Sequence, residues 1–232
     1  MTDAFESFSA LPFPRLLVTG ASSGIGRATA EAAAAAGWAV ALLSRRRDAL
    51  EDVRSALAHP ERHVTAALDL AGARAVEEDV PRLVAALGPL RGIVHAAGAC
   101  PIAPVGRFAA AELEAAVRVA WTAFARLAAA LAEPANHAAG AVAVAVSSVS
   151  ANEGWSGGAA YCAAKGALSA GCRALASELV PRGVAVRCLE PRWVLTPMFR
   201  AGAGRMGVPE SSAELPDAVA ARILALLGGD RS

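Results

Sequence analysis

The chain has few cysteines, and it has no segment that would serve as a membrane anchor or a secretion signal. Its four cysteines, Cys100, Cys162, Cys172 and Cys188, form no CxxC pair and have no metal-ligand spacing. The start, MTDAFESFSALPFPR, lacks a basic region followed by an apolar core. The longest apolar stretch, AGAVAVAVSS, is short and ends in polar residues. These absences predict a cytoplasmic protein with reduced thiols, no metal site and no membrane contact.

The chain also lacks an excess of charge of one sign. Its net charge is +1, and its basic residues are scattered apart from Arg45-Arg46-Arg47. This balance argues against a nucleic-acid partner and against binding to an anionic membrane surface. With 232 residues and 55% hydrophobic composition, the chain is long enough to bury a sizeable core and fits one domain. We predict an N-terminal tail at 1–14 and a single domain at 15–232.

Short apolar runs alternate with helical patterns along the whole chain. This alternation predicts an α/β fold, a doubly wound parallel sheet with helices on both faces. The candidate strands are RLLV, WAVALLS, HVTAAL, GIVHAA, AVAVAVS and VAVRCLE, and the candidate helices lie near 25–36, 46–58, 72–87, 110–133, 160–180 and 214–227. Such sheets bind ligands beyond the carboxyl ends of their strands, so we expect one cleft there. The residues at these ends are Gly20, Ser44, Asp69, Ala96, Ser148 and Pro191.

The first candidate strand leads into a glycine-rich turn. RLLV is followed by TGASSGIG and then by the helical pattern RATAEAAAAAG. Strand, glycine turn and helix in this order predict a phosphate-binding loop, although the spacing is GxxxGxG rather than GxGxxG. Gly20 permits the tight turn, whereas Gly24 and Gly26 let a pyrophosphate approach the backbone. The helix that follows offers its unpaired N–H groups to the anion.

Three proton-handling side chains have a spacing that brings them together. Ser148 closes an apolar strand, and Tyr161 and Lys165 lie one turn apart on one face of the helix that follows. A phenol with an ordinary pKa of about 10 becomes a better acid beside an ammonium group, which favours the phenolate. A hydroxyl, a phenol and an ammonium at one point predict chemistry on a carbonyl compound or an alcohol.

These motifs occur in the order seen in the classical short-chain dehydrogenases/reductases, which the chain resembles over about residues 15 to 227. The motifs are TGASSGIG, Asp69-Leu70, the Ala97-Gly98 of HAAG, Ser148, YCAAK and the segment 191–196. The resemblance implies a Rossmann-like oxidoreductase of the EC 1.1.1 type that forms a homodimer or a homotetramer. The strand that usually follows the family's last helix is missing, so we expect six strands instead of seven.

The residues after the second strand predict the cofactor. No carboxylate stands there to bind the two free ribose hydroxyls of NAD; the residues are Ser44-Arg45-Arg46. Guanidinium groups match a 2′-phosphate, which predicts NADP(H), unless these arginines simply form a solvated helix start. With the resemblance added, the expected cofactor-binding residues are Gly20, Ser22, Ser23, Gly24, Ile25, Gly26, Arg45, Arg46, Asp69, Leu70, Ala96, Ala97, Gly98, Tyr161, Lys165, Pro191, Val194 and Thr196.

The resemblance also implies roles in catalysis. Tyr161 is the acid/base that exchanges a proton with the substrate oxygen, and Ser148 orients that oxygen by a hydrogen bond. Lys165 binds the nicotinamide ribose and lowers the pKa of Tyr161. The expected substrate is a small or medium carbonyl compound or its alcohol.

Three positions depart from the family pattern. Ala120 stands where a helical asparagine is expected, and alanine favours a straight helix in place of a kinked one. Arg192 replaces a glycine; it either recruits a carboxylated substrate or turns outward onto the surface. His95 replaces the first asparagine of NNAG, and we interpret it as a hydrogen-bonded structural residue. Ala120 and Arg192 keep a second hypothesis open: a non-catalytic or weakly active NADP(H)-binding regulatory or scaffold protein.

The sequence also makes predictions about four apolar residues near the strand ends, the segment 200–215 and the N-terminal tail. Four apolar residues in loops near the strand ends form either a substrate wall or part of the core or of a subunit contact: Trp155, Trp193, Met198 and Phe199. The segment 200–215 would make a short mobile lid. The N-terminal tail either docks on the domain or on a neighbouring subunit through Phe5, Phe8, Leu11 and Phe13, or is frayed.

Overall fold

The protein folds around one parallel sheet. The structure, a computed structural model, describes residues 2–104 and 106–228; the ends of the predicted tail and domain, residues 1 and 229–232, lie outside these ranges. The strands in the described ranges are β1 (Arg15–Thr19), β2 (Ala39–Ser44), β3 (Val64–Ala67), β4 (Leu90–His95), β5 (His137–Val146) and β6 (Val184–Leu189). Their order is β3-β2-β1-β4-β5-β6, and every pairing is parallel. The predicted doubly wound sheet of six strands is confirmed.

Helices connect the strands and cover both faces of the sheet. They are α1 (Thr2–Ser9), α2 (Gly24–Ala35), α3 (Arg47–Ala56), α4 (Val80–Ala86), α5 (Ala110–Val117), α6 (Ala123–Leu131), α7 (Ala159–Leu179), α8 (Pro197–Met206) and α9 (Pro216–Gly228). All six predicted helical patterns contain a helix, whereas α1 and α8 were not predicted. Within the described part of the chain, no helix has both the length and the apolar character needed to cross a membrane.

The central strand β1 is buried on both faces of the sheet, as is typical of a parallel sheet. Leu16, Leu17 and Val18 are consecutive and all fully buried, as expected for a strand that is covered on both faces. Leu17 belongs to the cluster that contains Phe124 of α6, and Leu16 belongs to the cluster that contains Leu227 of α9. The chain order of the strands reverses between β1 and β4, which opens a crevice at their carboxyl ends.

Two helical connections contain a π-turn, one at Ala75–Asp79 before α4 and one at Arg118–Thr122 between α5 and α6. Pro81 explains the first, because its ring has no N–H and clashes with the carbonyl four residues back, that of Glu77. The second turn has the sequence RVAWT, with neither proline nor glycine. Ala120 thus lies in a π-turn and not in the regular α-helix that alanine favours.

The N-terminal tail is docked on the domain. Phe5 and Phe8 of α1 are buried and belong to the same apolar cluster as Leu87, which follows α4. The Arg15 guanidinium donates hydrogen bonds to the carbonyl oxygens of Ser9 at 2.6 Å and Leu11 at 2.9 Å. Of the two interpretations of the tail, docking is the one that the structure supports.

We expect Phe8→Ala to lower the free energy of unfolding by about 3 kcal/mol, because removing a buried aromatic side chain leaves a cavity in the core. Urea unfolding followed by tryptophan fluorescence measures the loss. Leu215→Ala is the control, because Leu215 is 58% exposed, and its effect should stay within about 0.5 kcal/mol. If Phe8→Ala unfolds at the same urea concentration as the parent protein, the tail is not docked in solution.

Candidate active site

The carboxyl ends of the strands border one cavity of about 780 Å³. Every predicted catalytic and cofactor-binding residue except Gly26 lines it. The structure therefore brings these residues together as the sheet topology predicts, while the role of each stays a prediction. The cavity also has a wall that no motif indicated, because its residues come from a helix that only the tertiary fold brings there. That wall is formed by Glu112, Ala115 and Ala116 of α5 and by Val119 of the π-turn.

The glycine turn allows β1, α2 and the loop after β4 to meet closely. Gly20 has φ +67°, and a Cβ on it would lie 2.8 Å from the Ala97 nitrogen. A Cβ on Gly26 would lie 2.4 Å from the carbonyl oxygen of Gly20. Both distances are too short for any side chain, so these two glycines are required by packing. Gly26 thus supports the turn from behind, which is why it does not line the cavity.

The end of β2 offers a hydroxyl and two cations to the same cavity. The buried Ser44 Oγ has no hydrogen-bond partner within the described residues. Arg45 and Arg46 follow it with exposed side chains that line the cavity. Asp69, after β3, accepts a hydrogen bond from the Ala71 nitrogen at 3.0 Å through its carboxylate Oδ1 and also lines the cavity. Asp69 therefore combines a place in a tight turn with a place in the cleft.

Ser148, Tyr161 and Lys165 meet at the wall of the cavity. Ser148 follows β5, and its Oγ accepts a hydrogen bond from the Ser150 nitrogen at 3.1 Å. Its side chain is also hydrogen-bonded to that of Tyr161, which lies in the first turn of α7. One turn later, Lys165 Nζ lies 5.8 Å from the centroid of the Tyr161 ring and donates a hydrogen bond to the Val146 carbonyl oxygen at 2.7 Å.

Burial dominates the electrostatics of these groups. It raises the pKa of Tyr161 to about 12, and the hydrogen bond between Tyr161 and Ser148 offsets only part of that rise. The expectation that Lys165 makes this phenol more acidic therefore does not describe the net shift, which is upward. Burial also lowers the pKa of Lys165 to about 8. At neutral pH the phenol keeps its proton, and the lysine is still charged.

His95 is hydrogen-bonded through both ring nitrogens, as its structural interpretation predicted. Its Nδ1 lies 2.9 Å from Thr19 Oγ1 and its Nε2 lies 2.8 Å from the Val119 carbonyl oxygen. Because a carbonyl only accepts, Nε2 carries the proton, and the Thr19 hydroxyl donates to Nδ1. Thr19 Oγ1 in turn accepts from the Ala97 nitrogen at 3.1 Å. Burial, with Lys165 nearby, lowers the pKa of His95 to about 4, so the ring is neutral at pH 7.

Aromatic side chains line the cavity next to Tyr161. The Trp155 ring centroid lies 6.3 Å from that of Tyr161, and Trp193 lies 6.1 Å from Phe199. Trp155 packs against Gly158, where a Cβ would come within 2.3 Å of its ring. All four apolar residues named from the sequence line the cavity, as the substrate-wall interpretation expects, while Phe199 of α8 is also buried in the core.

Arg192 lies at the rim of this region and is paired. Its Nη2 lies 2.7 Å from Glu153 Oε1, and the side chains of both residues are more than half exposed. The outward orientation is therefore the one observed, although part of Arg192 still lines the cavity. The segment predicted as a lid, 200–215, contains most of α8. The C-terminal end of this segment is connected to the site, because the backbone nitrogen of Glu214 donates a hydrogen bond to the Trp193 carbonyl oxygen at 2.9 Å.

Comparison with known proteins identifies the family. A family model described as short chain dehydrogenase matches residues 15–204. L-xylulose reductase from Mus musculus is 31% identical over 188 residues, which cover 80% of this chain and 74% of that protein. Sulfoacetaldehyde reductase 2 from Chromohalobacter salexigens is 37% identical over 83 residues, which cover 36% of this chain and only 33% of that protein.

A solved structure extends the similarity to the fold. A short chain dehydrogenase from Burkholderia cenocepacia J2315, crystallised in complex with NADP, superimposes with a TM-score of 0.81 and 28% identity over 92% of this chain and 90% of that chain. The family match begins at the first residue of β1 and ends within α8, so it contains the glycine turn and the Ser148, Tyr161 and Lys165 cluster. The chain therefore belongs to the short-chain dehydrogenase/reductase family.

Proposed function

We propose that this protein is an NADP(H)-dependent oxidoreductase of the EC 1.1.1 type that acts on a small or medium carbonyl compound or its alcohol. The observation that carries the proposal is the meeting of Ser148, Tyr161 and Lys165 on the wall of the cavity that also contains the glycine turn. One cavity thus has a binding end for a dinucleotide phosphate and a reacting end with a proton donor.

The residues present fit a dinucleotide along the length of the cavity. At one end, Gly20 and Gly24 have left-handed φ values of +67° and +53°, and their missing side chains leave the backbone of the turn open to a pyrophosphate. At the ribose end, the unpartnered Ser44 Oγ is a ready hydrogen-bonding group. The guanidinium groups of Arg45 and Arg46 suit a 2′-phosphate, and the Burkholderia relative is a complex with NADP.

Bound along this cavity, NADPH would supply the hydride for the carbonyl carbon of the substrate. Ser148 donates its hydroxyl hydrogen to the substrate oxygen, since the Ser150 N–H already occupies an acceptor site on Oγ. Tyr161 transfers its phenolic proton to the same oxygen as negative charge develops there. Lys165 uses one of its three N–H groups on Val146, so two N–H donors can serve the ribose hydroxyls and the phenolate that is left.

The electrostatics favour the reductive direction. A phenol whose pKa is raised to about 12 holds its proton at neutral pH and is ready to donate it to the much more basic alkoxide. Alcohol oxidation would need the phenolate instead, which burial disfavours. We therefore propose that at neutral pH Tyr161 is in the acid form that reduction of a carbonyl compound uses.

The aromatic wall supports a substrate with an apolar body. Trp155 offers ring surface next to Tyr161, Trp193 and Phe199 line the same cavity as a pair, and the Arg192 charge is compensated by Glu153. The two relatives compared above are named for different carbonyl compounds, sulfoacetaldehyde and L-xylulose. We propose that this chain prefers an aliphatic or aromatic ketone or aldehyde over a charged one.

The second hypothesis, a non-catalytic NADP(H)-binding protein, depended on Ala120 and Arg192. The helix at Ala120 contains a π-turn, and Arg192 is ion-paired with Glu153 at the rim. The enzyme is therefore the better-supported function.

We also propose a cytoplasmic location, supported by the four unpaired thiols, and a homodimer or homotetramer, as the family resemblance implies. Light scattering measures the subunit number.

Tyr161→Phe should lower the rate of NADPH oxidation by about 100-fold or more, because it removes the phenolic proton donor, together with its hydrogen bond to Ser148, and keeps the aromatic ring. The assay follows NADPH absorbance at saturating ketone or aldehyde, with a panel that includes cyclic, aromatic and sulfonated carbonyl compounds. The dissociation constant for NADPH should stay within about threefold of the parent value. Undiminished turnover by Tyr161→Phe would remove the proposed proton donor.

The value of kcat/KM should fall as the pH rises through about 8. Below that pH Lys165 is charged and supports the reaction; above it the lysine loses its proton, while Tyr161, with a pKa of about 12, remains protonated. Lys165→Arg, which keeps its charge at alkaline pH, should show no fall in this range. A parent profile that is flat from about pH 7 to 10 would contradict the assignment.

Arg45→Ala combined with Arg46→Ala should weaken NADPH binding by about 10- to 100-fold and NADH binding hardly at all, because only NADPH carries the 2′-phosphate. Fluorescence titration of the reduced cofactors measures both constants. Arg74→Ala is the matched control, since Arg74 is an exposed arginine outside the cavity. Equal losses for the two cofactors would exclude the 2′-phosphate contact.

A further inference from the structure

The π-turn at Arg118–Thr122 has no cause in its own sequence. RVAWT contains neither proline nor glycine, and alanine at its centre is the best helix former. The other π-turn in the described ranges differs, because Pro81 disrupts the helical hydrogen bonds there. A π-turn costs regular hydrogen bonds and persists where a tertiary contact holds it. Something outside this helix must therefore stabilise it.

His95 supplies one such contact from the end of β4, in addition to the packing of Trp121 on Gly171 and the hydrogen bond from Arg118 to the Ala71 carbonyl oxygen. Its Nε2 donates to the Val119 carbonyl oxygen at 2.8 Å, and the carbonyl of Ala120 also lies within its hydrogen-bonding reach. Both carbonyls belong to the π-turn. A buried donor fixed in the sheet thus satisfies backbone acceptors whose helical hydrogen bonds the turn has disturbed.

The ring cannot turn away from this position. Its Nδ1 is held by Thr19 at 2.9 Å, and Thr19 also accepts from the Ala97 nitrogen. The ring of Phe124 packs against it, with centroids 5.8 Å apart, and the side chain of His95 is fully buried. The imidazole therefore joins three parts of the site: the end of β1, the loop after β4 and the helix beyond.

The π-turn matters because it packs beside Lys165. Ala120 is 2% exposed and forms a small cluster with Ala116 of α5 and Ala164 of α7. Ala164 directly precedes Lys165. If the turn became regular α-helix, one residue of register would be lost, and the side chains of α5 would rotate by about 100° against α7. The wall opposite Lys165, which includes Val119, would then change shape.

We propose that His95 is a positioning residue: its hydrogen bond to the Val119 carbonyl holds the π-turn and thereby sets the wall that faces Lys165 and Tyr161. In this chain the sheet performs, through His95, what the family pattern assigns to an asparagine on the helix itself at the position of Ala120. This inference rests on the proposed function for its effect on turnover. The contact itself is independent of that function.

His63 provides a matched control for a merely structural role. It is also a buried histidine with both ring nitrogens bonded, since Nδ1 accepts from the Val40 nitrogen at 3.0 Å and Nε2 donates to the Ala58 carbonyl oxygen at 2.8 Å. His63 does not line the cavity. Replacing either histidine removes two hydrogen bonds in a buried place, but only His95 contacts the π-turn.

The experiment compares His95→Leu, His95→Gln and His63→Leu by hydrogen exchange of residues 110–131, by NADPH affinity and by steady-state kinetics. His95→Leu should speed exchange in 118–123 more than elsewhere and lower kcat by about 10- to 100-fold, because the reacting groups are misplaced. NADPH affinity should change by less than about threefold. His95→Gln, whose amide nitrogen can replace Nε2 as donor, should recover most of kcat. His63→Leu should lower the unfolding temperature but leave kcat within about twofold.

Three results would overturn the proposal. They are unchanged exchange in 118–123 of His95→Leu, a kcat of that variant within about twofold of the parent, and an equal loss of kcat in His63→Leu. If His95→Leu does not fold, Thr19→Val replaces it: without the Thr19 hydroxyl the ring is free to turn, so exchange in 118–123 should rise and His95→Gln should still be active. Unchanged hydrogen exchange in 118–123 of Thr19→Val would count against the proposed role of the hydrogen bond from His95 to Val119. If the parent protein turns over no substrate, the proposed function fails, and hydrogen exchange alone decides the role of His95.

Discussion

Parallel pairing of the strands is the constraint on which the site depends. Because every strand runs in the same direction, the residues at all the carboxyl ends meet at one edge of the sheet. The register places Thr19 of β1 beside His95 of β4, and His95 beside Ala145 of β5. The glycine turn follows Thr19, and Ser148 follows β5 shortly afterwards. A shift of one residue in either pairing would turn the side chains of a strand to the opposite face of the sheet and move the glycine turn relative to Ser148.

Desolvation decides how the reacting groups behave. The site is formed where two helices and the sheet exclude water, so neutral forms are favoured: the phenol of Tyr161 keeps its proton, and the imidazole of His95 stays uncharged. Burial also lowers the pKa of Lys165, but its ammonium group is still charged at neutral pH and donates a hydrogen bond to the Val146 carbonyl oxygen. A protonated phenol beside a charged lysine is an arrangement that donates a proton more readily than it accepts one, which agrees with a reductase.

Local patterns in the sequence were enough to predict the strands, the six helical regions and the place of the predicted site residues, Gly26 excepted, at one cavity. Each of those features is encoded within a few neighbouring residues, such as the glycine turn or the run that ends at Ser148. The features that could not be predicted depend on distant partners. The π-turn at Ala120 comes from His95, 25 positions earlier in the chain, and the docking of Phe8 comes from an apolar surface on the far side of α4. The upward pKa shift of Tyr161 likewise comes from burial, which spacing does not reveal.

The account requires the phenol of Tyr161 to lie in the dinucleotide cleft and to remain protonated. Tyr161 is the one tyrosine of the chain, so protein labelled with ¹³C at tyrosine Cζ gives a single resonance that reports both its protonation and its surroundings. We expect the phenol of Tyr161 to stay protonated up to at least about pH 10, and we expect its resonance to shift when NADPH is added. A resonance that titrates near neutral pH, or one that NADPH leaves unchanged at saturation, would contradict it.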